Sequence, residues 1–94
     1  MIRTFADGET ELIFSGTKSR KLPSEIQNAA RRKLRMIYAA KTVDDLRIPP
    51  GNRLEKLLGN LDGYFSVRIN DLRRIVFKFE DGGAEDAGIQ DYHR

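Results

Sequence analysis

The chain has 94 residues, 39% apolar and 33% charged, enough for one thin two-layer core and too apolar for a disordered polyampholyte. It has no cysteine and a single histidine, His93, which excludes disulfides, Cys-ligated zinc and multi-histidine metal sites. Seventeen Lys and Arg against fourteen Asp and Glu leave a net charge of +3, too small to mark a nucleic-acid binder by itself.

Met1 to Phe5 alternates weakly and predicts a short strand. Glu9 to Phe14 predicts a helical turn ended by Ser15-Gly16, and Thr17 to Lys21 a basic connector. Ser24 with Gln27 fits a capping box, which opens a helix running to about Ala40. At 100° per residue Ile26, Ala29, Ala30, Leu34, Met36 and Ile37 share one arc, opposite Arg31, Arg32 and Arg35. Lys33 falls inside the apolar arc and is expected to snorkel outward. Tyr38, on the helix flank, is expected in the core. Thr42 should cap one more turn to Leu46, and Pro49-Pro50-Gly51-Asn52 forces an extended or turned connection.

The period then changes from helical to alternating. Arg53 to Leu57 reads as a strand, and Gly59 to Gly63 as a turn. Tyr64 to Asn70 puts Phe65, Val67 and Ile69 on one face. Arg74 to Phe79 does the same with Ile75, Phe77 and Phe79. If Ile69 and Ile75 share the core face, Asn70 pairs with Arg74 across a three-residue connection, Asp71-Leu72-Arg73. Arg68 and Arg74 then stand side by side on the other face. Asp81-Gly82-Gly83 is a second turn and Ala84 to Tyr92 a last strand. The expected architecture is α+β: a short N-terminal strand and helices packed on one face of a twisted, mainly antiparallel sheet, in one domain spanning 1–94.

The small net charge hides an uneven layout. Residues 18–35 carry seven bases and one acid, whereas residues 80–94 carry five acids and one base, Arg94. With helices on one face, the other is expected to lie open and to present Arg68, Arg74, Tyr64, Ser66 and Lys78. Asp91-Tyr92-His93 reaches an adjacent edge, and Glu55 and Lys56 come from the preceding strand. Guanidinium groups fork onto phosphate oxygens, and a histidine exchanges protons near neutral pH. Such a set fits RNA cleavage without a metal or other cofactor: a base deprotonates the 2′-hydroxyl, arginines stabilise phosphoryl charge and an acid protonates the leaving 5′-oxygen. The bland reading is that Arg68 and Arg74 are ordinary solvent-facing residues and His93 an exposed bystander.

Three segments carry a family resemblance. They are Asp45 to Glu55 (DLRIPPGNRLE), Gly63 to Asp71 running into Arg73 to Phe77, and the terminal Asp91-Tyr92-His93. With the opening Met1 to Phe5 they cover nearly the whole chain, which resembles the HigB toxins of bacterial toxin–antitoxin modules, within the RelE-like superfamily. The resemblance implies a small α+β endoribonuclease that enters the ribosomal A site and cuts mRNA. It implies a HigA-like helix-turn-helix antitoxin as partner, with operator DNA reached only through that antitoxin. It assigns catalysis to His93, Tyr92, Asp91 and Arg74. Arg68, Arg73, Lys56 and Lys78 are expected to contact RNA or ribosome.

Three positions depart from the family pattern. Many relatives carry an aromatic where this chain has Arg73. Many also carry a lysine or other polar residue at Leu58 and a histidine near Glu55. Lys56 is the nearest cation to this gap, and strand alternation points it away from Glu55. The competing reading is a non-catalytic RNA- or antitoxin-binding module with the same fold. No apolar run is long enough to span a membrane, and no secretory signal is evident at the start, so the cytoplasm is the expected compartment.

Overall fold

Alternating apolar residues in the second half of the chain build a meander, and the apolar arc of the first half covers it. The computed structural model describes residues 1–91. Its sheet has four antiparallel strands in the order β1-β2-β3-β4: β1 Glu55–Lys56, β2 Tyr64–Arg68, β3 Arg73–Glu80 and β4 Gly83–Asp91. Helices α1 (Gly8–Phe14) and α2 (Ser24–Ala39) pack on one face. Ile13 of α1 and Ile26, Ala30, Leu34 and Ile37 of α2 meet Val67, Ile69, Ile75 and Phe77 of the sheet, all buried. Fully burying a side chain such as Leu34 or Phe77 contributes about 1.5–3 kcal/mol. The α+β layering read from the sequence is the observed one.

Several local expectations are corrected. The N-terminal strand is reduced to two isolated parallel bridges to β4, Ile2 with Ala84 and Phe5 with Ala87. Between them β4 bulges at Asp86 (φ 57°), whose amide donates to the Thr4 hydroxyl instead of to a strand carbonyl. Helix α2 has Pro23 at its N-cap and no capping side chain. Gln27 turns inward instead, accepting from Ser19 N and donating to the carbonyls of Ser19 and Leu22. The strand expected over Arg53 to Leu57 shortens to two residues, because Arg53 adopts a left-handed φ of 44° after the 3-10 turn Pro50–Asn52. Tyr38 is exposed, its ring tilted against that of Phe14.

The β2–β3 connection has the expected three residues but lies one position earlier. Arg68 pairs directly with Arg74, and the connection is Asn70-Asp71-Leu72. The reason is the Asn70 side chain, which accepts from the amides of Leu72 and Arg73 and so starts the turn itself. A shift of both partners preserves parity, so every side chain keeps its expected face. Asp81 and Gly82 (φ 52° and 74°) close β3 to β4, the left-handed pair that a two-residue hairpin needs. Thr42 opens the 3-10 turn Val43–Arg47, where the Asp45 carboxylate accepts from the amides of Lys41 and Thr42.

Candidate functional site

Parity sorts the charged residues of the sheet. On the face away from the helices stand Glu55, Tyr64, Ser66, Arg68, Arg74, Lys78 and Gln90, as their register shows. This face was expected to be open, but its centre is closed: Ser66 is 2% exposed and Arg74 5%. The Arg74 guanidinium lies down along the sheet. Its Nε donates to Ser66 Oγ at 2.8 Å, and an Nη donates to the carbonyls of Ser66 (3.4 Å) and Arg53. Its other Nη is 3.7 Å from Glu55 Oε1. One side chain thus ties β1, β2, β3 and the left-handed Arg53 together.

The turn end of the hairpin carries two more ion pairs. Arg68 holds Asp71, three residues on. Arg73 Nε lies 3.0 Å from Asp91 Oδ1 across the β3–β4 ladder. That contact is an ion pair without hydrogen-bond alignment, since Arg73 Nε is buried and has no hydrogen-bond partner. By alternation Arg73 and Asp91 point to the helix side, whereas Arg68 and Arg74 point away. All four converge on the same end of the sheet, on its two sides, and each of the three arginines has a carboxylate beside it.

The remaining candidates are elsewhere. Lys78 is four strand residues, about 13 Å, from Arg74 on the same face, and pairs with Glu80 at 3.6 Å. Lys56 pairs in register with Phe65, so it points to the helix side of the edge strand, opposite to Glu55 as expected. Tyr64 sits beside Lys78 and donates its hydroxyl to Asp86 at 2.8 Å. That bond holds the phenol above the usual tyrosine range, so it remains a donor at neutral pH. Tyr92 and His93 lie outside the described residues, and Asp91 is the last residue before them.

Lys33 does not snorkel. It is buried, and its ammonium donates to Asn52 Oδ1 at 2.5 Å, while Asn52 Nδ2 donates to the Leu46 carbonyl. The sequence signal was the lysine in the apolar arc; its partner, six residues past Leu46 and across two prolines, gave none. Burial first, then the charges of Arg32 and Arg68, lower the Lys33 pKa. The unfolded chain therefore holds this proton more tightly, and this group's contribution to stability rises with pH from the lowered folded value to the unfolded one. Comparing urea denaturation of the unaltered chain and Lys33→Met at pH 7 and pH 9.5 should show that gain in the former and its loss in the latter. Parallel pH dependences would contradict the burial effect. Tyr64 titrates in both proteins and cancels in the comparison.

Comparison with known proteins adds what geometry alone does not. A family model described as a RelE-like toxin of type II toxin–antitoxin system HigB matches residues 3–93. The chain is 46% identical over 85 residues to Toxin HigB-1 of Vibrio cholerae, covering 89% of this chain and 90% of that one. It is 27% identical over 93 residues to Endoribonuclease HigB of Proteus vulgaris, covering 99% of this chain and 100% of that one. Its fold is similar to YoeB in a YoeB–YefM complex from Staphylococcus aureus, with a TM-score of 0.63, 20% identity and coverage of 100% and 99%. A YoeB dimer from the same organism gives a TM-score of 0.60 at 20% identity, covering 99% and 98%.

Proposed function

Because the chain belongs to the HigB-like family of RelE-like toxins from type II toxin–antitoxin systems, we propose that it is an endoribonuclease that cuts mRNA on the ribosome. The observation that carries this reading is the convergence of Arg68, Arg73, Arg74 and Asp91 at the end of the sheet from which Tyr92 and His93 continue. The name of the Proteus vulgaris relative supports the reaction class, and a structural neighbour described as a heterotetrameric YoeB–YefM toxin–antitoxin complex from Staphylococcus aureus supports an antitoxin partner.

In the proposed reaction His93 or Tyr92 takes the proton of a 2′-hydroxyl. The 2′-oxygen attacks the adjacent phosphorus, the bond to the 5′-oxygen breaks, and the other group protonates that leaving oxygen, giving a 2′,3′-cyclic phosphate. Arg68, one-third exposed at its side chain, is the hairpin cation best placed to meet the phosphoryl oxygens, exchanging Asp71 for the phosphate. Arg74 enters as the buried anchor beneath it. Lys78 on the same face and Lys56 on the edge strand are proposed as flanking backbone contacts.

A HigA-like antitoxin is proposed as the inhibitor and the ribosomal A site as the place of action, which puts the protein in the cytoplasm. Among the described residues no helix is long and apolar enough to cross a membrane. A second reading, an RNA- or antitoxin-binding module without cleavage, is favoured by Leu58, an apolar side chain 79% exposed where the family resemblance implies a polar one. Mapping mRNA 5′ ends after induction separates the two. New ends within translated messages, suppressed by co-expressed antitoxin, are expected; intact messages under full growth arrest would leave the binding module.

A further inference from the structure

We propose that Arg73 is a positioning residue that fixes the Asp91 carboxylate for the reaction, and does not itself bind RNA. The inference rests on the cleavage reading above and assigns Arg73 a different task from its hairpin neighbours.

Arg73 and Asp91 are direct partners in the β3–β4 ladder, with Nε and Oδ1 3.0 Å apart. The two ends of the pair differ in exposure: the Arg73 side chain is 20% exposed and that of Asp91 58%. The acid is therefore presented to solvent and the base is held behind it. Arg73 also faces the helix side, away from the face of Arg68 and Arg74, so a phosphate gripped by Arg68 lies across the sheet from it. Its backbone is held from both directions. Its amide donates to Asn70 Oδ1 at 2.8 Å, and its carbonyl accepts from Ile69 N at 3.0 Å and Asn70 N at 3.3 Å. A guanidinium on so fixed a mount gives its partner a fixed address.

That address matters because Asp91 opens the Asp91-Tyr92-His93 run. Misplacing a reacting group by about 1 Å can cost on the order of 100-fold in rate. An ion pair holding Asp91 to β3 restricts where its own carboxylate sits. Losing a phosphate contact would act differently, by lowering the affinity for RNA and its dependence on salt.

The test measures single-turnover cleavage on ribosomes programmed with mRNA, across protein concentration and ionic strength, for Arg73→Ala, Arg73→Lys, Asp91→Asn and the double variant Arg73→Ala/Asp91→Asn. The expected result for Arg73→Ala is a saturating rate at least about 10-fold lower, with half-saturation and salt dependence unchanged. Arg73→Lys should recover much of the rate, and the double variant should be no slower than Asp91→Asn. Weaker binding with a salt slope reduced by about one and a normal saturating rate would overturn the proposal in favour of a phosphate contact. Additive losses in the double variant would overturn it too. If Arg73→Ala unfolds, Arg73→Lys carries the same comparison, and a lysine variant no faster than Asp91→Asn overturns the proposal. No cleavage by the unaltered chain would remove the enzyme reading and this inference together, an outcome distinct from the others.

Discussion

Replacing Arg74 by alanine should lower stability by about 3 kcal/mol, because its loss strands the buried Ser66 hydroxyl and takes a charged donor from the part-buried Arg53 carbonyl. The Ser66 hydroxyl and the Arg53 carbonyl lose a charged donor in a region where Ser66 is 2% exposed. The Glu55 pair adds little, since that carboxylate is half exposed and 3.7 Å away. In a chain of this size the expected fall in Tm is roughly 12–24 °C. Arg74→Lys should recover little, because an ammonium cannot fork to the hydroxyl and the carbonyls at once. Arg68→Ala is the control: its pair with Asp71 is on the surface, and its loss should cost under about 1 kcal/mol. Equal Tm losses for the two variants would refute the buried network. A collapse of activity in Arg74→Ala is thus first a folding effect, and only a variant that remains folded at the assay temperature speaks to catalysis.

The second large effect should appear in rate. The double variant Tyr92→Ala/His93→Ala removes both proposed proton-transfer groups. Cleavage is expected to fall on the order of 100-fold or more, with thermal unfolding close to that of the unaltered chain. If His93 alone is exchanged, the limb of the pH–rate profile that reports its proton transfer should vanish. Cleavage at the normal rate in the double variant would remove the proposed acid–base pair. A pH profile unaltered by His93→Ala would move the proton transfer to another group.

What the sequence made legible follows from where its signals are periodic. Phe65, Val67 and Ile69 against Ile75, Phe77 and Phe79 fixed both the hairpin and its faces, because one residue of slip would turn a whole apolar row to solvent. The end of that hairpin escaped by one position, because a single side chain, Asn70, competes with the ladder for two amides. The same competition misled the reading of the α2 start, where Gln27 prefers the backbone of Ser19 to its own helix terminus. At the site, alternation placed Arg68 and Arg74 together, yet it could not say that Arg74 lies flat and buried. That depends on the Arg53 carbonyl, twenty-one residues away in sequence and presented by a left-handed turn. Asp71 beside Arg68 and Asp91 beside Arg73 are visible only once register is known.

The bulge at Asp86 reaches beyond its own turn. Before it Ala84 faces the helices; after it Ala87, Ile89 and Asp91 do, a change of parity caused by one additional residue. Deleting the bulged residue would restore plain alternation and keep the pairs beyond it, Gln90 with Arg74 and Asp91 with Arg73; deleting one residue after it, with the bulge kept, would instead set Asp91 opposite Arg74 on the other face. Across descendants of this gene, β4 should therefore tolerate changes of letter far more readily than changes of length. A single-codon deletion between the bulge and Gln90 rewrites the electrostatics of the candidate site without altering any residue in it.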